Sequence, residues 1–557
     1  MNSPTHHKSE SDLKLVAAIA SAVSLGAFLF YFQRGQILLY GDAVAHINIA
    51  RRVFDSQTPG LLQLGTVWLP LPHLLTLPFL VSDWMWQTGL GGSIPSMIAY
   101  VLGVLGIFRL TRELFANNER TRSVAGSGAW LAALIYGANP NLLYLQATVM
   151  TEPLYLALFI WSAVYFADFL RLSAEESIEA VRYKRSLYRC AVCLAGAELT
   201  RYDGWFLGAV VGTSMLILLG RRWQDRKFRA TAFKFCLAIA AAPILWLGYN
   251  AAVYGNALEF ANGPYSAKAI ERKTAQPGYP AHPGAGNVIT AGSFFLKSAQ
   301  LNMAEGNWGR IWILIVLAGA YAASQIRVRP VFLLLAVPLV FYALSIAYSG
   351  VPLFLPTWWP FTWYNLRYGL QLLPLFAISG AFVAFFVFPR VVHAITEGKP
   401  WQSLPGPVTV LVILALSYFS VWHAQPLCFT EAWVNSRTKL ALESSVSRSI
   451  TLLPRDARYL MYIGDHVGAF QQAGVPLRQV INEGNHRPWK KPSDPDGLWE
   501  QALVDPARHV DFVITYEGDA VDHAVNRSGL TLYEEIHTTG QPSARIYAVG
   551  KVLNQSR

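Results

Sequence analysis

The chain has 557 residues, 53% of them apolar and only 14% charged, with a mean hydropathy of +0.31. Soluble proteins carry about 25% charged residues, so an ordinary soluble globular protein is excluded. The net charge of +11 does not point to nucleic acid, because the Lys and Arg gather in short connections between apolar segments, the loop bias of a polytopic membrane protein.

The start, Met1 to Lys14, is polar and runs into an apolar stretch, Leu13 to Phe32, which is too long for a signal-peptide core. It reads as an uncleaved first span, with cleavage at Ala20-Ser21-Ala22 as the alternative. Residues 34–90 then form a first outer loop. Its segment Gly41 to Phe54 has the pattern of an interfacial helix, and Pro70, Pro72 and Pro78 mark 70–90 as a bent or re-entrant piece rather than a crossing.

Basic clusters follow at Arg109/Arg112/Arg120/Arg122, at Arg171/Arg182/Lys184/Arg185/Arg189, at Arg221/Arg222/Arg226/Lys227/Arg229 and at Arg327/Arg329. Placing all four in the cytoplasm leaves an even number of spans between them. The spans are 128–146 with 150–170, 189–200 with 203–220, 231–251 with 308–325, then 330–349, 364–388 and 407–423. Counting from a cytoplasmic N-terminus gives about eleven spans and an outward-facing C-terminus. Asp42, Glu152 and Asp203 then fall on the outer face, together with a second outer loop, 252–306, whose Gly and Pro content suits a lid or an inert connector.

Residues 425–557 are more polar, with β-type runs at 459–463, 511–516 and 545–549. They read as a small soluble extracytoplasmic α/β domain after a membrane domain of residues 1–424. The expected class is therefore mainly α, a polytopic helical membrane bundle with a small α/β domain. Four cysteines make no disulfide framework, and Cys190 and Cys193 read as small apolar residues on a helix.

Several polar residues stand where a charge is costly unless it has a task. Asp42 and His46 are four apart and share a helical face. Spacing alone leaves Asp42 either a helix cap or half of an acid–base or metal-binding pair. Trp68 and His73 lie downstream on the same side, and Glu152 precedes Pro153 at a helix start. Arg201 and Asp203 separate two spans, where they form either a structural ion pair or a phosphate clamp. Arg367 opens an apolar run after Trp363-Tyr364-Asn365.

Gly41-Asp42 after the first span, Thr151-Glu152-Pro153-Leu154, Leu199 to Trp205, and Arg367-Tyr368 with Pro374 together resemble the GT-C superfamily of polyprenyl-phosphate-dependent membrane glycosyltransferases. That superfamily includes the protein O-mannosyltransferases and the lipid A aminoarabinose transferases. The resemblance covers about 1–423 and implies an inverting transfer of a sugar from a polyprenyl-phosphate donor to a lipid, glycan or protein acceptor, outside the plasma (inner) membrane. It makes Asp42 and Glu152 the catalytic acids and the tentative ligands of a divalent metal (Mg, Mn or Zn), and Arg201 and Arg367 the residues that hold donor phosphate. His46, Asp203, Trp68 and His73 are read as substrate-binding residues from their placement on the same face, and His46 is not a residue the superfamily requires. The lysine motif of some relatives is absent, since the corresponding stretch reads Trp68-Leu69-Pro70-Leu71-Pro72. A transporter or flippase of lipid-linked glycans shares the many spans, but no internal duplication supports it. A non-catalytic scaffold is the third class.

Overall fold

The computed structural model describes residues 4–174, 180–274, 281–391, 405–485 and 494–550. Among these, eight helices are long and apolar enough to cross a membrane: Ser11–Phe32, Leu90–Ala116, Glu152–Ser173, Tyr202–Arg221, Arg226–Tyr254, Arg329–Tyr348, Leu366–Val391 and Pro405–Thr451. This is a multi-pass helical membrane protein.

Three other expected spans are helical but depart from a simple apolar rod. The 128–146 segment is broken in two, Ala125–Gly137 and Pro140–Gln146, because Asn139 accepts hydrogen bonds from the backbone N–H groups of Asn141 and Leu142 and Pro140 starts the new helix. The 189–200 segment belongs to Ala180–Glu198, whose first half is basic. Gly309–Gln325 has 17 residues, about 26 Å at helical rise, just short of the hydrocarbon thickness. The proline-bearing 70–90 stretch breaks into short helices, Leu71–Thr76, Leu77–Val81 and Asp83–Gln87. Its apolar part, Leu71–Val81, is about 16 Å long and too short to cross.

The chain divides into two compact units. The first holds Met1–Arg34, Pro95–Leu247 and Ala261–Glu431. The second holds Gly35–Ile94, Gly248–Phe260 and Ala432–Arg557. In the first unit, much of 252–306 folds as helices, Glu259–Asn262 (which begins in the second unit), Ala267–Thr274 and Val288–Leu301. Residues 275–280 of that loop lie outside the described residues.

The second unit carries a five-stranded sheet of order β2-β1-β3-β5-β4, with β1 Tyr459–Leu460, β2 Val480–Ile481, β3 Phe512–Tyr516, β4 Leu530–Ile536 and β5 Ala544–Val549. The β1 strand runs parallel to β2 and β3, while β5 runs antiparallel to β3 and β4. Every residue of β3 is buried, as a central strand covered on both faces requires. Leu460, Ile481, Trp499, Val513 and Val521 form its core. The three expected β-runs became β1, β3 and β5. The two-residue β2 and the exposed, charged β4 carry no apolar run and were not expected.

Candidate functional site

In the first unit, Glu152 begins the helix Glu152–Ala174 and is fully buried. Its Oε1 receives two guanidiniums, Nη1 of Arg201 at 3.0 Å and Nε of Arg367 at 3.0 Å. Arg201 lies in extended backbone between two helices. This turn is tight because Gly204 has no side chain, and a Cβ there would collide with the carbonyl of Ala197. Arg201 makes four hydrogen bonds: to Thr151 Oγ1 (3.2 Å), Glu152 Oε1, Asp203 Oδ2 (3.3 Å) and Tyr342 OH (3.0 Å). A guanidinium has five N–H hydrogens, so one remains on a side chain that is 15% exposed. The Tyr342 hydroxyl in turn donates to Asp203 at 3.0 Å. Asp203 therefore braces Arg201 directly and through Tyr342.

Arg367 sits on the short helix Leu366–Leu372, entered through Asn365 in the left-handed region, φ 58°, a conformation that Asn tolerates. Gly369 lets this turn lie against the backbone of Ser298 and Ala299. Ser298 Oγ and Asn302 Nδ2 donate to the carbonyl of Leu366 at 2.7 and 2.8 Å. From the far end of the unit, Glu431 accepts from the backbone N–H groups of Asn365 (3.0 Å) and Leu366 (2.8 Å) and from Arg367 Nη1 (2.9 Å). Tyr368 stacks on Tyr342, and both guanidiniums lie over its ring, 5.0 and 5.1 Å from the centroid.

The sequence reading did not single out Glu431 or Tyr342. The available signal for Glu431 was a lone acid in Leu427-Cys428-Phe429-Thr430-Glu431-Ala432-Trp433, to which the argument used for Glu152 applies equally. Tyr342 gave no signal beyond being a polar tip in an apolar helix.

Two guanidiniums thus face three carboxylates, Glu152, Asp203 and Glu431. Consistent with an excess of acid, the buried Glu152 Oε2 has no hydrogen-bond partner. That oxygen suits a single additional positive group. Among the described residues no three or more His, Cys, Asp or Glu gather as a metal cage. A magnesium-like ion needs no such cage, being held commonly by one or two carboxylates with substrate phosphates and water.

The second unit presents a different arrangement. The helix Gly41–Arg52 is preceded by Tyr40, whose side chain makes no cap. Asp42 is thus not the N-cap but stands in the first turn, where a carboxylate meets the positive end of the helix dipole. Asp42 and His46 fall on one face. Asn48 and Arg51 fall roughly opposite by the 3.6-residue period, and they, with Asp55 just beyond the helix end, are committed to structure. Asn48 Nδ2 donates to Gln471 Oε1 (2.7 Å) and Trp86 Nε1 donates to Asn48 Oδ1 (3.0 Å), while Arg51 pairs with Asp55 (2.7 Å) and Asp83 (2.6 Å).

His46 Nδ1 lies 2.9 Å from His73 Nε2, both rings being buried, and Trp68 packs on His46 with ring centroids 4.8 Å apart. Burial, then His46 and Arg52, holds the His73 imidazole well below the ordinary value of 6.5. The ring is neutral at pH 7, and its buried Nδ1 has no hydrogen-bond partner. Of the residues expected in a site, Glu152, Arg201, Asp203 and Arg367 thus form one network, and His46, His73 and Trp68 form one cluster, with His46 on the helix that carries Asp42.

No family model matches the sequence, and no curated protein matches it. Solved structures do. ArnT from Cupriavidus metallidurans bound to undecaprenyl phosphate is similar over 95% of this chain and 97% of its own, at TM-score 0.56 and 12% identity. The apo state of the same protein is similar over 97% and 98%, at 0.55 and 13%. The apo oligosaccharyltransferase of Archaeoglobus fulgidus matches 90% of this chain and 69% of its own at 13% identity, with a TM-score of 0.47 that is too low to bear on function. The likeness to ArnT extends over nearly the whole of both chains, and this protein has the same fold as ArnT.

Proposed function

We propose that the chain is a polyprenyl-phosphate-dependent glycosyltransferase, acting on the extracytoplasmic side of a plasma membrane with its N-terminus in the cytoplasm. The observation that carries this is Arg201: a braced, partly exposed guanidinium with an N–H hydrogen to spare, in a fold shared with a protein solved with undecaprenyl phosphate. Braced arginines are suited to phosphate because the planar fork is oriented before the anion arrives.

In this reading Arg201 and Arg367 take the donor phosphate, while Glu152, Asp203 and Glu431 hold them in place. Glu152 Oε2 is the atom that would hold a divalent cation, which when bound would offset charge on the departing phosphate. Asp42 is the general base. An acceptor O–H gives its proton to the Asp42 carboxylate as the acceptor oxygen bonds the anomeric carbon. The bond from that carbon to the phosphate oxygen breaks, and polyprenyl phosphate leaves with the electron pair. Displacement from the opposite face inverts the anomeric centre. His46, His73 and Trp68 belong to the acceptor side, where the imidazole pair supports Asp42. The C-terminal residues 425–557 are read as extracytoplasmic.

The test is transfer of radiolabelled sugar from polyprenyl-phosphate donors in membranes containing the chain. Removal of a general base costs about 10²–10⁴-fold, so Asp42→Asn is expected to lose turnover by that order while still binding undecaprenyl phosphate. Full transfer by Asp42→Asn would remove Asp42 from the chemistry. No transfer from any donor, with movement of lipid-linked sugar across vesicles, would favour the transporter.

A further inference from the structure

The apolar helices Arg329–Tyr348 and Leu366–Val391, each long enough to cross the bilayer, are joined by residues 349–365 in the first unit. A connection that short between two spans stands at a membrane face, whichever face it is. It carries no charge, for the sequence has none between Arg329 and Arg367. It carries instead Trp358-Trp359-Pro360-Phe361-Thr362-Trp363-Tyr364, and Trp and Tyr collect where membrane meets water.

The connection folds as a hairpin. Phe354 and Tyr364 pair antiparallel, with N–H···O distances of 3.1 and 3.5 Å. Leu353 and Leu355 are buried, and Trp358 packs edge-on against the buried Phe294 with centroids 4.9 Å apart. Trp359, Phe361 and Tyr364 are left 52%, 63% and 43% exposed. Phe361 is held at φ 58°, a left-handed conformation that is strained for a bulky residue. Its N–H donates to the Trp358 carbonyl at 2.7 Å. A braced turn that keeps a strained backbone and leaves the apolar ring uncovered has a use for that ring outside the protein.

The base of the hairpin is tied to the arginine clamp. Asn365 Nδ2 donates to the Pro352 carbonyl at 2.7 Å, and the Asn365 backbone N–H donates to Glu431 at 3.0 Å, two residues before Arg367. Ser298, on the helix that carries Phe294, donates to the Leu366 carbonyl.

We propose that the 351–364 hairpin is a wedge seated in the interfacial layer of the bilayer through Trp359, Phe361 and Tyr364, and that its tie to Asn365 fixes the depth of Arg367 against the lipid phosphates. The occupant is the bilayer rather than a protein, because the helix entering the hairpin exposes Val340, Leu344 and Tyr348 at four-residue spacing, the apolar stripe of a lipid-facing helix. Lacking charge, the hairpin responds to the apolar boundary and not to headgroup charge. The seating is independent of the transferase reading; its effect on donor phosphate rests on that reading.

The test places a nitroxide at Phe361→Cys in the full-length chain in phosphatidylcholine nanodiscs, with the signal of the labelled parent subtracted. Relaxation by oxygen, which enters the bilayer, is compared with relaxation by a water-soluble nickel chelate. The label is expected about 5–10 Å into the headgroup–acyl boundary, and at the same depth when phosphatidylglycerol is mixed in. A label relaxed by nickel lies in water and overturns the proposal. One shielded from both reagents lies against protein, a partner or a second copy, and overturns it equally. Phe361→Gly then separates seating from folding, since Gly adopts a left-handed φ freely. Its melting temperature in detergent is expected to hold or rise. Its Kd for undecaprenyl phosphate is expected to rise about threefold or more in nanodiscs and to stay unchanged in detergent. Equal weakening in both media, or none in nanodiscs, overturns the tie between the hairpin and Arg367. If the parent chain binds no undecaprenyl phosphate, the transferase reading fails, and the nitroxide depth alone decides the wedge.

Discussion

The two polar centres of the molecule solve opposite problems. Around Glu152, charges from four stretches of the first unit end on one another, and two guanidiniums are locked by three carboxylates. Around His73 the buried groups are two imidazoles that share a hydrogen bond, while the strong charges of Arg51, on the His46 helix, and Asp55, just beyond it, pair with each other. The first arrangement fixes two cations among carboxylates. The second keeps a proton carrier neutral. The difference teaches that burial of a titratable group means little until its partners are counted.

The sharpest way to break this comparison is to remove one clamp arginine. Arg367→Ala leaves Glu431 without its ion pair and Glu152 with one guanidinium. Breaking a buried pair costs about 3–5 kcal/mol, so thermal unfolding in detergent is expected to drop steeply. Arg201→Lys keeps the charge but loses the fork and is expected to weaken undecaprenyl phosphate binding more than it lowers stability.

The histidine pair is tested by pH. His73 has a folded-state value below its unfolded value near 6.5, so the unfolded chain binds more protons on acidification. Stability is expected to be full above pH 6.5 and to fall as pH drops below it. In His73→Gln that fall is expected to flatten, read as melting temperature between pH 8 and 5.5. A clamp variant such as Arg201→Lys should keep the slope.

The smallest effect belongs to the purely structural face of the 41–52 helix. Gln471→Ala removes a bond to Asn48 and one to the Trp86 carbonyl and is expected to cost about 1–2 kcal/mol, with little change in donor binding. If it cost as much as Arg367→Ala, the contrast between the two centres would be lost.

The spans were legible because hydrocarbon thickness fixes an apolar length, and the breaks at Asn139-Pro140 and at the prolines of 70–90 follow from local chemistry. Glu152, Arg201 and Arg367 were legible as charges out of place. Their mutual contacts were not, since nothing in a single sequence says that residues 152, 201, 367 and 431 meet. Glu431 escaped because its helix also carries polar residues, which hid one acid among many. The short β2 and the polar β4 escaped because pairing, not composition, makes them strands.

The bare backbones of Gly204 and Gly369 set how near each clamp arginine stands to its partners. A single methyl group at either position would wedge two segments apart and swing a guanidinium off its mark, without touching any charged atom. Random mutagenesis selected for lost transfer should therefore return alanines at 204 and 369 alongside the charged residues, as silent dimensions of the site that a search for reactive groups would pass over.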